Sequence, residues 1–361
     1  MDEKEKSKLF SIWENLKEEK TQTQSSGLTN SIRKKVLLVD GMNTFLRCWS
    51  AIPSMNEDGL HTGGIAGFLK SVGYSLKLIK PDRCVIIFDG PGGSMKRRKI
   101  YPEYKEKRKT KIRLNRSYIN EESDDQTLLN TEDKNLKKQL QRTISYLQVL
   151  PVNMISLDNV EADDTIAYCS TEHFKDWDVC IMSSDKDFLQ LISDKISVWS
   201  PTKKKLYGIS DVMNEYGIHP NNFALYRALD GDVSDNISGI KGCGIKTLLK
   251  SFPQLREEKK LTTQDLLQLC VNPQHDWKIY ESIKTNESLL NRNYELMQLH
   301  DTQLQTFAQL HVKEILDNHI TKLNRFEFSK LITEDKLWNN IPNYQTWIGD
   351  CFMKLDAYIR E

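Results

Sequence analysis

Two stretches of the chain share an uncommon form, an apolar run of strand length that ends in an aspartate followed by glycine. They are KKVLLVDG at residues 34–41 and CVIIFDG at residues 84–90. A strand that is apolar at consecutive positions is buried on both faces, which is typical of parallel sheets covered by helices. The pattern therefore predicts an α/β fold with a mostly parallel central sheet.

Two more apolar runs, VNMISL (152–157) and DVCIMSSD (178–185), extend the predicted sheet, and helical patterns occupy residues 62–78 and 161–174. Strands that alternate with helices require right-handed crossovers, so helices should flank both faces of the sheet. Ligands of such sheets bind beyond the carboxyl ends of the strands. Since Asp40, Asp89 and Asp185 fall there, we expect the functional site at that edge.

The remaining sequence divides into regions of different character. Residues 93–140 form an insertion that is too long for an ordinary loop, and residues 1–31 are so rich in charged and polar residues that a mobile N-terminal extension is expected. Beyond residue 201 the pattern is largely helical, with predicted helices at 222–230, 244–251, 263–270 and 323–331. We divide the chain into an extension (1–31), a core (32–200), a second region (201–255) and a helical C-terminal region (256–361).

Composition narrows the class of protein. No apolar run approaches the roughly 18 residues of a membrane span, and the N-terminus lacks the apolar core of a signal peptide. A cytoplasmic protein without membrane contact is expected. The seven cysteines are scattered without CxxC pairs, so the sequence predicts neither a disulfide framework nor a zinc site.

The formal net charge of +1 conceals an uneven distribution along the chain. Residues 96–113 carry ten Lys and Arg against two Glu. Such a run is as often a solvated face as a binding surface for a polyanion. Charge alone leaves both interpretations open.

Nine carboxylates occur in five short clusters: Asp40; Asp89; Glu161, Asp163 and Asp164; Asp185 and Asp187; Asp232 and Asp235. Asp40 and Asp89 end apolar runs, where burial of their charge is costly unless a cation compensates it. Converging carboxylates raise one another's pKa unless hard cations neutralise them. Carboxylates without partnering His or Cys suit Mg²⁺ or Mn²⁺ better than zinc.

Two such ions can generate a hydroxide from water and stabilise both the attacking and the leaving oxygen of a phosphodiester. The clusters therefore predict phosphodiester hydrolysis. Individual members have simpler explanations, because Asp163 or Asp164 could be an N-terminal helix charge and Asp187 a turn residue. The prediction depends on all five clusters in order.

The order and wording of these motifs resemble the 5′ nuclease superfamily of flap endonucleases and 5′-3′ exonucleases. The resemblance spans roughly residues 34–255 and rests on LLVDG, FDG, VEADD (160–164), SSDKDF (183–188) and GDVSDNISGIKGCGIKT (231–247). The chain is similar to bacteriophage ribonuclease H-type 5′ nucleases and to the 5′ nuclease domain of bacterial DNA polymerase I. The resemblance implies a PIN-like core with a helical arch insertion and a helix-hairpin-helix-type element.

The resemblance also implies roles for the carboxylates. Asp40, Asp89, Glu161, Asp163 and Asp164 would hold a first Mg²⁺, with Asp185 between the two sites. Asp187, Asp232 and Asp235 would lean toward a second Mg²⁺, and Mn²⁺ would substitute for either ion. Asp40, Asp89 and Asp185 are the implied catalytic carboxylates.

In the arch, the family places a Lys and an Arg three residues apart to reach the scissile phosphate. The segment YPEYKEKR puts Lys105 and Arg108 at these positions, where they would stabilise transition-state charge. Tyr104 is a candidate stacking surface for a base, although a lone Tyr is as often simple packing. Relatives often carry a Lys soon after the second aspartate; here the first cations after it are Lys96 and Arg97, which we expect to contact nucleic acid instead.

The GDVSDN segment leads into a glycine-rich hairpin that the resemblance assigns to duplex binding. Gly239, Gly242 and Gly244 would allow backbone N–H groups close to phosphates, and Lys241 and Lys246 would add charge. Such glycines also make ordinary turns. The resemblance further implies a K⁺ ion at this hairpin.

These implications define the expected function. The chain would be a monomeric, structure-specific 5′ nuclease with 5′-3′ exonuclease and flap endonuclease activity on DNA and RNA–DNA, removing RNA primers in replication. A sliding clamp or a single-strand-binding protein would be its partner. Two alternatives remain at this stage: a catalytically silent DNA-binding relative that keeps the scaffold, and a small PIN-type ribonuclease, which would lack the arch insertion and the GDVSDN hairpin.

Overall fold

A six-stranded sheet in the order β3-β2-β1-β4-β5-β6 forms the centre of the protein. The computed structural model describes residues 33–106, 125–271, 278–302, 304–318 and 321–360. The strands are β1 (Lys35–Asp40), β2 (Arg83–Asp89), β3 (Asn153–Leu157), β4 (Asp178–Met182), β5 (Ile196–Ser200) and β6 (Lys205–Tyr207). All neighbours pair in parallel except β6, which runs antiparallel to β5. The predicted α/β class and the predicted parallel sheet are confirmed.

Alternate residues of each central strand enter different apolar cores. In β1, Val36 and Leu38 pack into one cluster, whereas Leu37 and Val39 pack into the other, and all four side chains are fully buried. Because both faces are covered, no polar alternation appears along the strand. The continuous apolar runs in the sequence follow from this two-sided burial.

Helices cover the two faces and continue to the end of the described chain. Before β6 they are α1 (Gly41–Ala51), α2 (Gly63–Ile79), α3 (Met95–Ile100), α4 (Asp125–Leu147) and α5 (Ala162–Tyr168). After β6 they are α6 (Ile209–Tyr216), α7 (Phe223–Asp230), α8 (Ile245–Ser251), α9 (Thr263–Val271), α10 (Lys278–Thr285), α11 (Glu287–Met297), α12 (Thr306–Asn318), α13 (Arg325–Glu334) and α14 (Tyr344–Arg360). A short hairpin, β7 (Gly231–Asp232) with β8 (Ile237–Ser238), lies between α7 and α8.

The start of α1 explains why glycine follows Asp40. The Asp40 side chain accepts a hydrogen bond from the Asn43 N–H and so caps the helix directly after β1. A Cβ at position 41 would lie 2.7 Å from the ring of Phe88 and 2.9 Å from the carbonyl oxygen of Ile87. Only glycine lets the chain turn from strand to helix this close to β2.

Several boundaries differ from the sequence prediction. The predicted helix at 161–174 is α5 followed by a π-helical turn, Cys169–His173, and α1, β5 and β6 were not predicted. The insertion 93–140 contains α3 and the first part of α4, but its residues 107–124 lie outside the described chain, as does the predicted extension 1–31.

The described elements belong to one compact unit, Lys34–Glu361. None of the helices in the described ranges is both long and apolar enough to span a membrane. All seven cysteines are buried and unpaired.

Candidate active site

The carboxyl ends of β1, β2 and β4 bring the three strand-terminal aspartates to one edge of the sheet. Asp40 lies beside Ile87 in the parallel register, two residues before Asp89, and Met182 of β4 lies beside Val39. Asp40 is buried, with 5% of its surface exposed, whereas Asp89 is exposed. The expected burial is thus correct for Asp40 and wrong for Asp89, which lies beyond the last residue of β2 that pairs with β1.

The buried Asp40 carboxylate accepts two hydrogen bonds. Its side chain accepts hydrogen bonds from Ser183 Oγ at 2.9 Å and from the Asn43 N–H at 3.1 Å. Burial, with Asp185 and Asp89 nearby, nevertheless raises the pKa of Asp40 to about 7. Two hydrogen bonds therefore do not fully compensate this carboxylate, and a cation at this edge would.

The VEADD segment crosses the same edge at the start of α5. The Ala162 N–H donates to Asp89 Oδ1 at 2.9 Å, which joins the helix to the end of β2. Burial raises the pKa of Asp163 well above its usual range, and Asp185, Asp40 and Glu161 add to the rise while Lys105 opposes it. Asp163 therefore shares one electrostatic environment with the strand-terminal aspartates.

Arg97 lies within the carboxylates instead of on the surface. Its guanidinium donates to Glu161 Oε2 at 2.6 Å and to both oxygens of Asp164 at 2.8 and 2.9 Å, and only 6% of the residue is exposed. The expectation that Arg97 contacts nucleic acid is corrected, because its donors are engaged internally. Asp164, predicted as a metal ligand, is the counter-ion of Arg97.

Lys105 approaches the same carboxylates from the base of the arch insertion. Its Nζ lies 2.7 Å from Glu161 Oε1. Burial alone would raise the pKa of Glu161, but Arg97 and Lys105 hold it below its usual range. Arg108, its predicted partner, lies outside the described residues.

Tyr104 does not offer a stacking face. Only 3% of the residue is exposed, and its hydroxyl donates to Glu161 Oε2 and Asp235 Oδ2, both at 3.3 Å. The expected role as a base-stacking surface is corrected in favour of packing. Lys96 is exposed as expected, and its Nζ donates to the Thr302 carbonyl at 2.7 Å.

The second acidic group is organised by Arg227, which sequence reasoning missed. Arg227 on α7 is 5% exposed and donates to Asp187 Oδ1 at 2.7 Å and to Asp232 Oδ2 at 2.5 Å. A cation in the apolar helix FALYRALD, five residues before Asp232, was the available signal. Asp185 caps the turn that carries Asp187, accepting from the Asp187 N–H at 2.8 Å, which ties Asp185 to this group.

The glycine-rich hairpin follows immediately. Lys241 and Lys246, the two lysines predicted to contact the duplex, are exposed. Gly242 has φ +88° with open space around its Cβ position, and Gly244 is also open, but a Cβ at Gly239 would lie 2.1 Å from the Asp230 carbonyl oxygen. Gly239 therefore serves internal packing, whereas the other two leave the backbone accessible.

The nine predicted ligands differ in their partners, and Asp235 accepts a hydrogen bond from the Tyr104 hydroxyl. Glu161, Asp164, Asp187 and Asp232 are paired with the buried Arg97 or Arg227, and Glu161 also with the partly exposed Lys105. Across the described residues, no three carboxylate, imidazole or thiolate side chains are already arranged as a metal cage. Asp40, Asp89, Asp163 and Asp185 lie close enough to affect one another electrostatically. All four offer carboxylate oxygens, a donor set that fits a hard divalent cation.

Comparison with known proteins decides the family. Residues 35–217, half of the chain, match the family model described as "5'-3' exonuclease, N-terminal resolvase-like domain". The chain belongs to the 5′-3′ exonuclease family. Its activity is accordingly that of a structure-specific 5′ nuclease, a phosphodiester hydrolase, which leaves the PIN-type ribonuclease alternative without support.

Curated relatives agree with this assignment. The 5'-3' exonuclease of Aquifex aeolicus is 31% identical over 218 residues, which cover 60% of this chain and 68% of that relative. DNA polymerase I of Bacillus subtilis is 30% identical over 236 residues, but the match covers 63% of this chain and only 24% of the polymerase. The similarity to the polymerase is thus confined to a part of that larger protein.

Solved structures give the same fold. The zinc-bound structure of the T5 5'-exonuclease superposes with a TM-score of 0.62 at 21% identity, covering 79% of this chain and 99% of that one. A T5 flap endonuclease complex with DNA and metal ions superposes with a TM-score of 0.58 at 20% identity, covering 84% and 99%. At this identity the likeness establishes the fold, including that of much of the helical region after the sheet.

Proposed function

We propose that this 5′ nuclease uses Mg²⁺, with Mn²⁺ as a substitute, for 5′-3′ exonuclease and flap endonuclease cleavage of DNA and RNA–DNA. The observation that supports this most is the group Asp40, Asp89, Asp163 and Asp185. These side chains come from four separate segments and include no His or Cys. Burial and mutual repulsion raise the pKa of Asp40 and Asp163, so a divalent cation would stabilise their ionised forms.

The four carboxylates are the residues we propose to hold the metal. Bound there, Mg²⁺ would supply a more acidic water and charge stabilisation at the phosphodiester. The protein keeps the ligands in place through hydrogen bonds from Ser183 and Asn43 to Asp40 and from the Ala162 N–H to Asp89. Such positioning reduces the rearrangement that catalysis requires.

We assign Lys105 to the scissile phosphate. Its ammonium lies 2.7 Å from Glu161 and its side chain is 14% exposed, so the cation lies at the edge where a phosphate would bind. A cation there stabilises the negative charge that develops during hydrolysis. Arg108 is the proposed second cation.

The hairpin supports an assignment to duplex binding. Lys241 and Lys246 are exposed on either side of the open backbone at Gly242 and Gly244. Cations and accessible N–H groups are the usual contacts to phosphates. On this basis we propose residues 32–200 for catalysis and 201–255 for duplex binding, with K⁺ at the hairpin and 256–361 as the helical C-terminal region.

The wider biological role remains our proposal from the family resemblance. The chain would act as a monomer in the cytoplasm and remove RNA primers, recruited by a sliding clamp or a single-strand-binding protein. Copurification and a pull-down with each candidate partner would test the recruitment.

A cleavage assay tests the proposed function. A 5′-labelled flap, a nicked duplex and an RNA-primed duplex are each incubated with Mg²⁺, Mn²⁺ or a chelator. We expect products from all three substrates with either metal and none with the chelator. Binding without cleavage in every condition would instead support the catalytically silent relative.

A further inference from the structure

The backbone of Lys105 has an unfavourable conformation that contacts from other segments must stabilise. Its φ is +55°, in the left-handed region that is unfavourable for a residue with a Cβ. The side chain reaches back to Glu161 at 2.7 Å from this backbone. Strained backbone at a functional position persists only where the surroundings hold it.

The turn between β7 and β8 supplies that support. The Lys105 N–H donates to the Asp235 carbonyl at 2.9 Å. Two residues earlier, the Glu103 carbonyl accepts from Asn236 Nδ2 at 3.0 Å. The base of the arch insertion is thus attached to the turn on both sides of Tyr104.

Asn236 is suited to this position by its own backbone. It has φ +62°, a conformation that Asn tolerates better than most residues. In it, the Asn236 amide points at the arch base while Ile237 continues into β8. The backbone conformation of the turn therefore places the Asn236 amide against the Glu103 carbonyl.

A small apolar cluster fixes the same interface. Tyr104 from the arch base packs with Ile237, Leu296 and Met297, separately from the two large cores of the protein. Asn293 of α11 donates to the Ser238 carbonyl at 2.8 Å, which holds β8 on this helix. The arch base, the turn and the end of α11 consequently form one joint.

We propose that Asn236 is a positioning residue for Lys105. Its amide holds the Glu103–Lys105 segment in the conformation from which the Lys105 ammonium reaches the acidic edge. This inference rests on the role proposed above for Lys105. Asn236 itself need not touch the substrate.

The test is a double-mutant cycle on flap cleavage. Asn236→Gly keeps the left-handed backbone but removes the amide donor, and we expect it to lower the single-turnover rate about fivefold or more, with the flap Kd changed by less than about twofold. In a Lys105→Ala background, Asn236→Gly should change the rate by less than about twofold, since the residues act together. Asn343→Gly is the matched control, because Asn343 is an exposed Asn with φ +51° in the C-terminal region.

A second readout needs neither metal nor substrate. Acetylation of Lys105 in the intact protein, followed by mass spectrometry, should be about threefold faster in Asn236→Gly than in the wild type or the Asn343→Gly control, because the ammonium is no longer held against Glu161. If Asn236→Gly does not fold, as judged by circular dichroism, Asn236→Asp removes the same donor and keeps a residue that tolerates positive φ.

The outcomes separate the two proposals. If Lys105→Ala cleaves at the wild-type rate, the proposed role of Lys105 is wrong and the inference falls with it. If Lys105→Ala is slow but Asn236→Gly cleaves normally, or the two effects multiply, the role of Lys105 stands and the positioning role of Asn236 is overturned. Unchanged acetylation in a folded Asn236 variant would also overturn it.

Discussion

At the scale of single residues, the acidic edge contains its own cations. Arg97 and Arg227 are buried, and each bridges two carboxylates that the sequence presents as metal ligands. A buried carboxylate must be compensated by a cation or take up a proton. The internal arginines therefore determine which acids remain for the metal.

Removal of Arg227 should leave Asp187 and Asp232 uncompensated. We expect Arg227→Met to lower the free energy of unfolding by about 3 kcal/mol in chelator, because breaking a buried ion pair leaves unpaired charge. Urea titrations with and without Mg²⁺ measure this, and Mg²⁺ should restore more stability to the variant than to the wild type. Lys77→Met is the control, since the Lys77–Asp350 pair is exposed and should contribute less than about 1 kcal/mol. Equal losses in both variants would contradict the compensating role of Arg227.

His300 should make stability depend on pH. Burial, assisted by Lys260, lowers its pKa to about 4 from 6.5. The unfolded chain therefore binds a proton between pH 6.5 and 4 that the folded chain does not, so stability is present above pH 6.5 and lost as the pH falls toward 4. Between pH 7 and 5 we expect a loss of about 2 kcal/mol from this group. Urea unfolding at both pH values should show a smaller loss for His300→Gln, and identical losses would contradict the assignment.

At the scale of elements, the strands that form continuous apolar runs could be predicted from the sequence. β1 and β2 were recognisable because two-sided burial removes polar alternation from Val36–Val39. α1 was missed because its start depends on the cap that Asp40 makes with Asn43, and β6 because three residues of an edge strand carry little periodicity. The pairing of Arg97 with Asp164 was not predictable, since it depends on the distance between α3 and α5 in the folded chain.

Two glycines of the hairpin should behave differently on substitution. Gly239→Ala places a Cβ 2.1 Å from the Asp230 carbonyl oxygen, so we expect the free energy of unfolding to fall by about 3 kcal/mol. Duplex binding should be lost together with the folded hairpin. Gly244→Ala meets no atom within 4 Å and should cost less than about 1 kcal/mol while still weakening duplex binding. Thermal unfolding and duplex titration of both variants measure this. A Gly244→Ala protein with wild-type affinity would show that phosphates do not approach there.

At the scale of the whole molecule, the near-neutral net charge of +1 conceals a division between an acidic edge and basic surfaces. The sheet gathers the carboxylates, while exposed lysines lie on the hairpin beyond α7. We propose that the acidic edge carries the chemistry and that the hairpin lysines contact the duplex. Variants of the hairpin lysines should therefore leave the chemistry largely unchanged.

The hairpin lysines give this division a salt-dependent signature. Lys241→Ala with Lys246→Ala should weaken binding to flap and plain duplex alike, and should flatten the log–log salt dependence by about 0.9 for each phosphate that the hairpin no longer neutralises. Fluorescence anisotropy over a salt series measures both slopes. Unequal effects on the two substrates would assign the lysines to the single strand instead.

The central claim is that the carboxylates at the sheet edge serve hydrolysis and not DNA binding. Asp185→Asn tests it most directly, because Asn can still accept the hydrogen bond from the Asp187 N–H that Asp185 accepts at 2.8 Å. Single-turnover cleavage of a 5′ flap with Mg²⁺ should fall by a factor of about 100 or more, or roughly 2.7 kcal/mol of transition-state stabilisation, with the flap Kd nearly unchanged. Cleavage at close to the wild-type rate would contradict the account.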